Sequence, residues 1–178
     1  EEKTTELLKS DKVTIFEAAI RFGDLFIRID ILKKDGKNYE LIEVKAKSYD
    51  SDFPELLNSK GSISSGMRSY IEDVAFQAYV LKKAMPNASL NCFLMMPDKS
   101  VVANVDGLNQ LFKISHEDKR TKIITNPRIQ DLAIDQKILA KVPVDPLVDI
   151  VMEEGVHYLG YKEPLNLVTE RWATAYKL

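Results

Sequence analysis

The chain has 178 residues, 45% of them hydrophobic and 29% charged, with 25 basic against 27 acidic side chains for a net charge of −2. That is the profile of a soluble globular protein of one domain, or one domain with an appendage, and it excludes the global positive field that marks many nucleic-acid binders. No apolar run approaches the ~20 residues of a membrane helix and no charged-then-apolar leader opens the chain, so no membrane partner and a cytoplasmic location are expected.

The single cysteine, Cys92, lies in the apolar run Leu90-Asn91-Cys92-Phe93-Leu94-Met95-Met96 and reads as a buried thiol. Disulfides, structural zinc and iron–sulfur clusters are thereby excluded within the chain. It opens on Glu1 rather than methionine, and additional domains of a longer parent protein are expected as partners. Local basic clusters stand at Lys33, Lys34, Lys37, Lys45 and Lys47 and again at Lys119, Arg120 and Lys122, the second reading as solvated surface charge.

In chain order, residues 1–10 carry Leu7 and Leu8 among polar groups and read as the end of a helix. From Val13 the apolar period becomes two, with Phe16, Ala18, Ile20 and Phe22 in one set and Leu25, Ile27, Ile29 and Ile31 in the next. Gly23-Asp24 suits a two-residue turn between these strands, and Asp35-Gly36 suits a second before a strand from Tyr39 to Ala46. Residues 48–65, rich in Ser, Asp and Asn, read as a mobile loop. Met67, Tyr70, Ile71, Val74, Ala75, Ala78 and Leu81 recur at helical spacing and end at Lys82-Lys83, before Pro86. Ser89 to Met96 reads as a buried, central or parallel strand, because a helix crosses over before it. Beyond Ser100 the pattern predicts a short helix at Leu108 to Phe112, a polar segment, helices over Ile129 to Ala140 and Asp145 to Met152, and a closing helix from Leu165 to Tyr176. His116 and His157 lack ligand spacing, and Trp172 and Tyr176, four apart, read as a helix face packed on the domain.

Turns set registers, and registers decide which side chains meet. With Gly23-Asp24 as the turn, Ile20 faces Ile27, Ala18 faces Ile29 and Glu17 faces Asp30; with Asp35-Gly36 as the turn, Lys34 faces Lys37, Asp30 faces Leu41 and Arg28 faces Glu43. Glu43 and Lys45 then point the same way, and Asp30 lies diagonally from Glu43 at roughly 7–8 Å between backbones. The opposite face, holding Ala18, Ile20, Ile27, Ile29, Ile42 and Val44, is expected to meet the core. Carboxylates gathered this way repel unless a cation sits among them. Two answers remain open: neutralisation by Arg28, Lys45 or Lys47, or a hard divalent cation, Mg²⁺ or Mn²⁺, which takes oxygen ligands and keeps waters for a phosphate. Gln77, one turn beyond Asp73 on the helix, is placed to reach the polar rim of the sheet, whereas Asp73 reads as surface.

Asp30 in Ile29-Asp30-Ile31, Glu43-Val44-Lys45, and Gln77 in Asp73-Val74-Ala75-Phe76-Gln77 together resemble the PD-(D/E)XK nuclease superfamily, in particular its RecB-like branch and an uncharacterised bacterial family assigned to it. The likeness covers roughly residues 13–97, with Ile29 where proline often precedes the aspartate and no histidine before His116. It implies a mixed α/β fold: a restriction-endonuclease-like core over residues 1–115, in which a three-stranded antiparallel meander, a helix and a further strand build a mixed sheet flanked by helices. Residues 116–178 are expected to form a mainly helical extension packed on that core. The resemblance further implies a metal-dependent nuclease acting on DNA, or RNA, in repair, recombination or defence. In it Asp30, Glu43 and the Val44 carbonyl hold Mg²⁺ or Mn²⁺, Glu17 is a further ligand, Lys45 positions the attacking water and Gln77 orients a nucleotide or Lys45. The alternative is a catalytically silent module on the same scaffold that binds nucleic acid or protein within a larger protein.

Overall fold

The computed structural model describes residues 1–117, 120–132, 134, 136–158 and 161–175. Lys119 and Tyr176 lie outside the described residues, as do the side chains of Arg120 and His157. After a short α1 (Glu2–Leu7) come β1 (Lys12–Phe22), β2 (Leu25–Asp35) and β3 (Asn38–Val44), an antiparallel meander as the period-two pattern predicts. A 20-residue α2 (Ser65–Ala84) crosses over to β4 (Ser89–Pro97), which pairs parallel to β3, because a parallel pair needs a crossover of this size. Among the described residues no helix is long and apolar enough to cross a membrane.

Both hairpins turn on a glycine at positive φ, Gly23 at 57° and Gly36 at 59°. In each, glycine takes the first turn position, where a Cβ is disfavoured. The first turn is the one expected: Phe22 faces Leu25, Ile20 faces Ile27 and Ala18 faces Ile29. The second is Gly36-Lys37 instead of Asp35-Gly36, closed by Asp35 opposite Asn38. The β2–β3 register therefore moves by two residues, Leu32 facing Leu41 and Ile31 facing Ile42. A shift of two preserves the faces, and continuing the count carries Asp30 from opposite Leu41 to opposite Glu43.

The expected division of faces fails at Glu17. This is the one non-glycine residue with positive φ, 55°, among the described residues, and neither it nor Asp30 is paired in the β1–β2 ladder. On one side of that break Ala18, Ile20, Ile27 and Ile29 are buried; on the other side the buried residues are Ile15 and Leu32, so the parity reverses. Beside Leu32, the β3 residues that join the main core are Tyr39 and Leu41, and Glu43 follows them at the same parity. Ile42 is buried outside that core, and Val44 is exposed. Glu43 and Lys45 consequently face α2 rather than open solvent.

Helix α2 lays Met67, Ile71, Val74, Ala75, Ala78 and Leu81 on the sheet, each large side chain contributing roughly 1.5–3 kcal/mol by leaving water. The region beyond β4 departs most from expectation. The segment read as polar forms an antiparallel ribbon, β5 (Phe112–Glu117) with β6 (Arg120–Thr125), after a 3₁₀ turn at Leu108–Leu111. A boundary at 115/116 would cut β5. The helix expected over Ile129 to Ala140 is replaced by two 3₁₀ turns, Pro127–Asp131 and Gln136–Ile138, and by β7 (Leu139–Pro143). β7 pairs antiparallel with β4 and completes a five-stranded sheet of order β1-β2-β3-β4-β7; β4 needed a partner on its second edge, and Leu139-Ala140-Lys141-Val142 supplies it. Helix α3 (Asp145–Glu154), a small hairpin of β8 (Val156–Tyr158) and β9 (Tyr161–Glu163), and α4 (Leu165–Ala175) follow. Residues 116–178 thus add strands as well as helices. Gly155, at φ 82° and ψ −178°, joins α3 to β8 where a Cβ would stand 2.2 Å from the Glu163 carbonyl oxygen, a conformation open essentially to glycine alone.

Candidate active site

At the end of β3 the ladder with β2 stops at Ile31 and Ile42, and just beyond it the Asp30 carboxylate accepts the backbone N–H of Val44 at 2.8 Å. The next backbone group, Lys45 N–H, donates to the Met95 carbonyl of β4 at 2.9 Å, so Lys45 stays in line with the sheet after its strand has ended. Its ammonium turns toward α2. There it donates to Glu43 Oε1 and to Asp73 Oδ2, both at 2.7 Å, and lies 5.5 Å from the centre of the Tyr70 ring. Gln77 Nε2 closes the circuit, donating to Glu43 Oε2 at 2.8 Å and to Asp73 Oδ1 at 3.1 Å.

Two carboxylates, Glu43 and Asp73, thus share one ammonium, and the charge of Asp30 acts on Glu43 beside them. Burial pushes the Glu43 carboxyl above its ordinary value; the hydrogen bonds from Lys45 and Gln77 oppose this, while the charges of Asp73 and Asp30 reinforce it. For Lys45 burial pulls the other way, but the hydrogen bonds to Asp73 and Glu43 outweigh it and hold the ammonium charged. Gln77 Oε1 is buried with no hydrogen-bond partner. An orphaned acceptor beside surplus negative charge marks a place a cation or ordered water would satisfy.

Of the residues read from the sequence, Asp30, Glu43, Lys45 and Gln77 come together. Glu17 is ion-paired instead with Arg28, 2.6 Å away in exposed surroundings, because its positive φ turns it out of the ladder. Asp73, read as surface, is a full member of the cluster. The signal that would have found it is its spacing: one turn before Gln77, it must share the face on which Gln77 reaches the sheet.

Residues 48–51 continue beside β4 and are pinned there. Tyr49 N–H donates to the Pro97 carbonyl at 2.8 Å, and Asp98 accepts from the backbone and hydroxyl of both Ser51 and Ser100. Those bonds, the Ser51 hydroxyl foremost and the Ser100 hydroxyl next, lower the Asp98 carboxyl to about 2. Beside this segment a cleft of about 270 Å³ opens between Lys47, Tyr49, Phe53, Lys99 and the start of α2 at Gly66. A Cβ on Gly66 would approach the Lys47 ammonium to 3.3 Å.

Compared with protein-family models, curated proteins and solved structures, the chain matches none of them. Among the described residues no three His, Cys, Asp or Glu side chains are grouped as a ready-made metal cage. The donors present still fit a hard cation. They are oxygens, as Mg²⁺ and Mn²⁺ require, and each hydrogen-bonded carboxylate oxygen of Asp30 and Glu43 keeps a second lone-pair site. Such ions are commonly held by one or two carboxylates plus waters and substrate phosphate rather than by a complete protein cage.

Proposed function

We propose that the chain is a metal-dependent nuclease of the PD-(D/E)XK kind, hydrolysing phosphodiester bonds of DNA, or of RNA. The observation that carries the reading is the Lys45 ammonium held 2.7 Å from both Glu43 and Asp73 while Gln77 braces Glu43. A structural ion pair needs one acid; here one lysine is shared between two, with Asp30 close enough to act on Glu43 electrostatically. In this reading Asp30, Glu43 and the Val44 carbonyl hold Mg²⁺ or Mn²⁺. An ion held there would supply a water of lowered pKa and offset charge on the scissile phosphate. Lys45 would orient the attacking water through its ammonium, and Asp73 would fix that ammonium in place. Gln77 keeps Glu43 turned toward Lys45.

A second reading, a catalytically silent module on the same scaffold, is favoured by one feature. Both oxygens of Glu43 and one of Asp30 already have protein donors, so the cluster holds its shape without an ion. Incubation of single- and double-stranded DNA and RNA with Mn²⁺ or Mg²⁺ separates the two. Cleavage by wild type that Lys45→Ala and Asp30→Asn abolish is the expected outcome; no cleavage of any substrate by wild type sinks the catalytic reading.

A further inference from the structure

The ribbon β5–β6 stands apart from the core. Of its described side chains every one is exposed except that of Ser115, which is half-buried; Ile114 and Ile123, directly opposite each other, are both 64% exposed. An isolated two-stranded hairpin is marginal in water, so a ribbon that covers so little of its own surface needs something to lie against.

Its charge points to what that is. Residues 112–125 hold four basic and two acidic side chains, a net +2 in a chain of −2, leaving −4 on the remainder. The pairings Lys113 with Ile124 and Ser115 with Lys122 put both lysines on one face together with Ser115 and Ile124, while Phe112, Ile114 and Ile123 take the other. The ribbon is inserted between the end of β4 at Pro97 and the start of β7 at Leu139, which face each other. The segment that carries it therefore leaves and rejoins the sheet at the end where β3 delivers Glu43 and Lys45, as the pairing of Val44 with Met95 fixes. A two-stranded ribbon is one of the shapes the major groove of B-form DNA admits, whereas the corresponding groove of duplex RNA is deep and narrow.

We propose that the β5–β6 ribbon is a duplex-DNA-binding arm whose Lys113–Lys122 face holds the phosphodiester backbone beside the Glu43–Lys45 site. This rests on the nuclease reading for its choice of polymer, but the two fail separately. The test is fluorescence anisotropy with a labelled mixed-sequence DNA duplex, titrated in EDTA at several salt concentrations. Wild type is expected to bind with an affinity that falls linearly in log–log against salt. Lys113→Ala with Lys122→Ala should flatten that slope by about 2 and weaken binding about tenfold, and the double reversal to Glu should weaken it further. Both variants change exposed side chains and should keep the wild-type melting midpoint. Unchanged affinity and slope in both overturn the arm, as does a wild type that binds no duplex. So does a dimer in sedimentation that Ile114→Ser with Ile123→Ser dissolves while the lysine variants leave DNA binding unmoved, since the ribbon then serves a second copy of the chain. Mn²⁺-dependent cleavage by the same wild-type preparation reads the nuclease proposal alone: duplex binding in EDTA with no cleavage in Mn²⁺ overturns that proposal and leaves the arm standing.

Discussion

The sheet under α2 and the β5–β6 ribbon are built from the same kind of residue and meet opposite fates. Ile27, Ile29, Leu41 and Leu94 vanish into a shared core, while Ile114, Ile123 and Ile124 stay in solvent. Local pattern is not what separates them, since both regions contain an antiparallel hairpin. A 20-residue crossover helix returns over the first, whereas the described side chains of the second are exposed apart from the half-buried Ser115. A period-two pattern is compatible with strand pairing in both regions, but stability comes from what covers the strands.

The largest effect that would break this contrast is a truncation on each side. Leu81→Ala, at a fully buried position of α2, should cost about 3 kcal/mol, whereas Ile123→Ala on the ribbon should stay within about 0.5 kcal/mol. Urea denaturation measures both, and equal losses would mean that the ribbon is packed after all. Next, Gly155→Ala should cost about 2 kcal/mol or more, since the new Cβ would collide with the Glu163 backbone at a φ that alanine avoids; a melting midpoint equal to wild type would contradict this. Lys45→Met in metal-free buffer should cost about 2 kcal/mol. It leaves Glu43 and Asp73 facing each other without their shared cation, and the partial exposure of Asp73 keeps the loss below that of a fully buried pair.

Smaller, and opposite in sign, is Glu17→Gly. Relief of the positive φ should outweigh the exposed pair with Arg28, raising stability by about 0.5–1 kcal/mol in the same denaturation series. The smallest effect is confined to acid. Asp98 has a folded value of about 2 against about 3.9 in an unfolded chain. Its contribution is therefore complete above about pH 4 and is lost as pH falls toward 2. Melting midpoints from pH 5 to pH 2 should fall less steeply in Asp98→Asn than in wild type, and parallel curves would remove Asp98 from the account of that loop.

The grouping of the candidate site's side chains is largely legible in the sequence. Asp30, Glu43 and Lys45 could be placed near one another because two glycines announce two turns and strand geometry does the rest. The prediction survived an error in the second turn only because the slip was two residues; a slip of one would have sent Glu43 to the other face. What could not be read was the bend at Glu17. A non-glycine residue at positive φ leaves no compositional trace, so the parity of β1 looks continuous where the fold reverses it. Asp73 was missed for a related reason: a surface acid and a half-buried one look alike until a lysine 28 residues earlier is seen to reach it.

The sequence by itself determined the meander, the crossover helix, the parallel placement of β4 and the closing helices α3 and α4. Each depends on residues adjacent in the chain: glycine at a turn, apolar side chains at period two or 3.6, proline beyond a helix end. Only the tertiary structure decided that Glu43 and Lys45 face the helix, that β7 rather than a helix follows the ribbon, and that the ribbon is left uncovered. These outcomes turn on which distant segment fills an open sheet edge or face, a competition settled by packing and hydrogen-bond satisfaction across the whole chain.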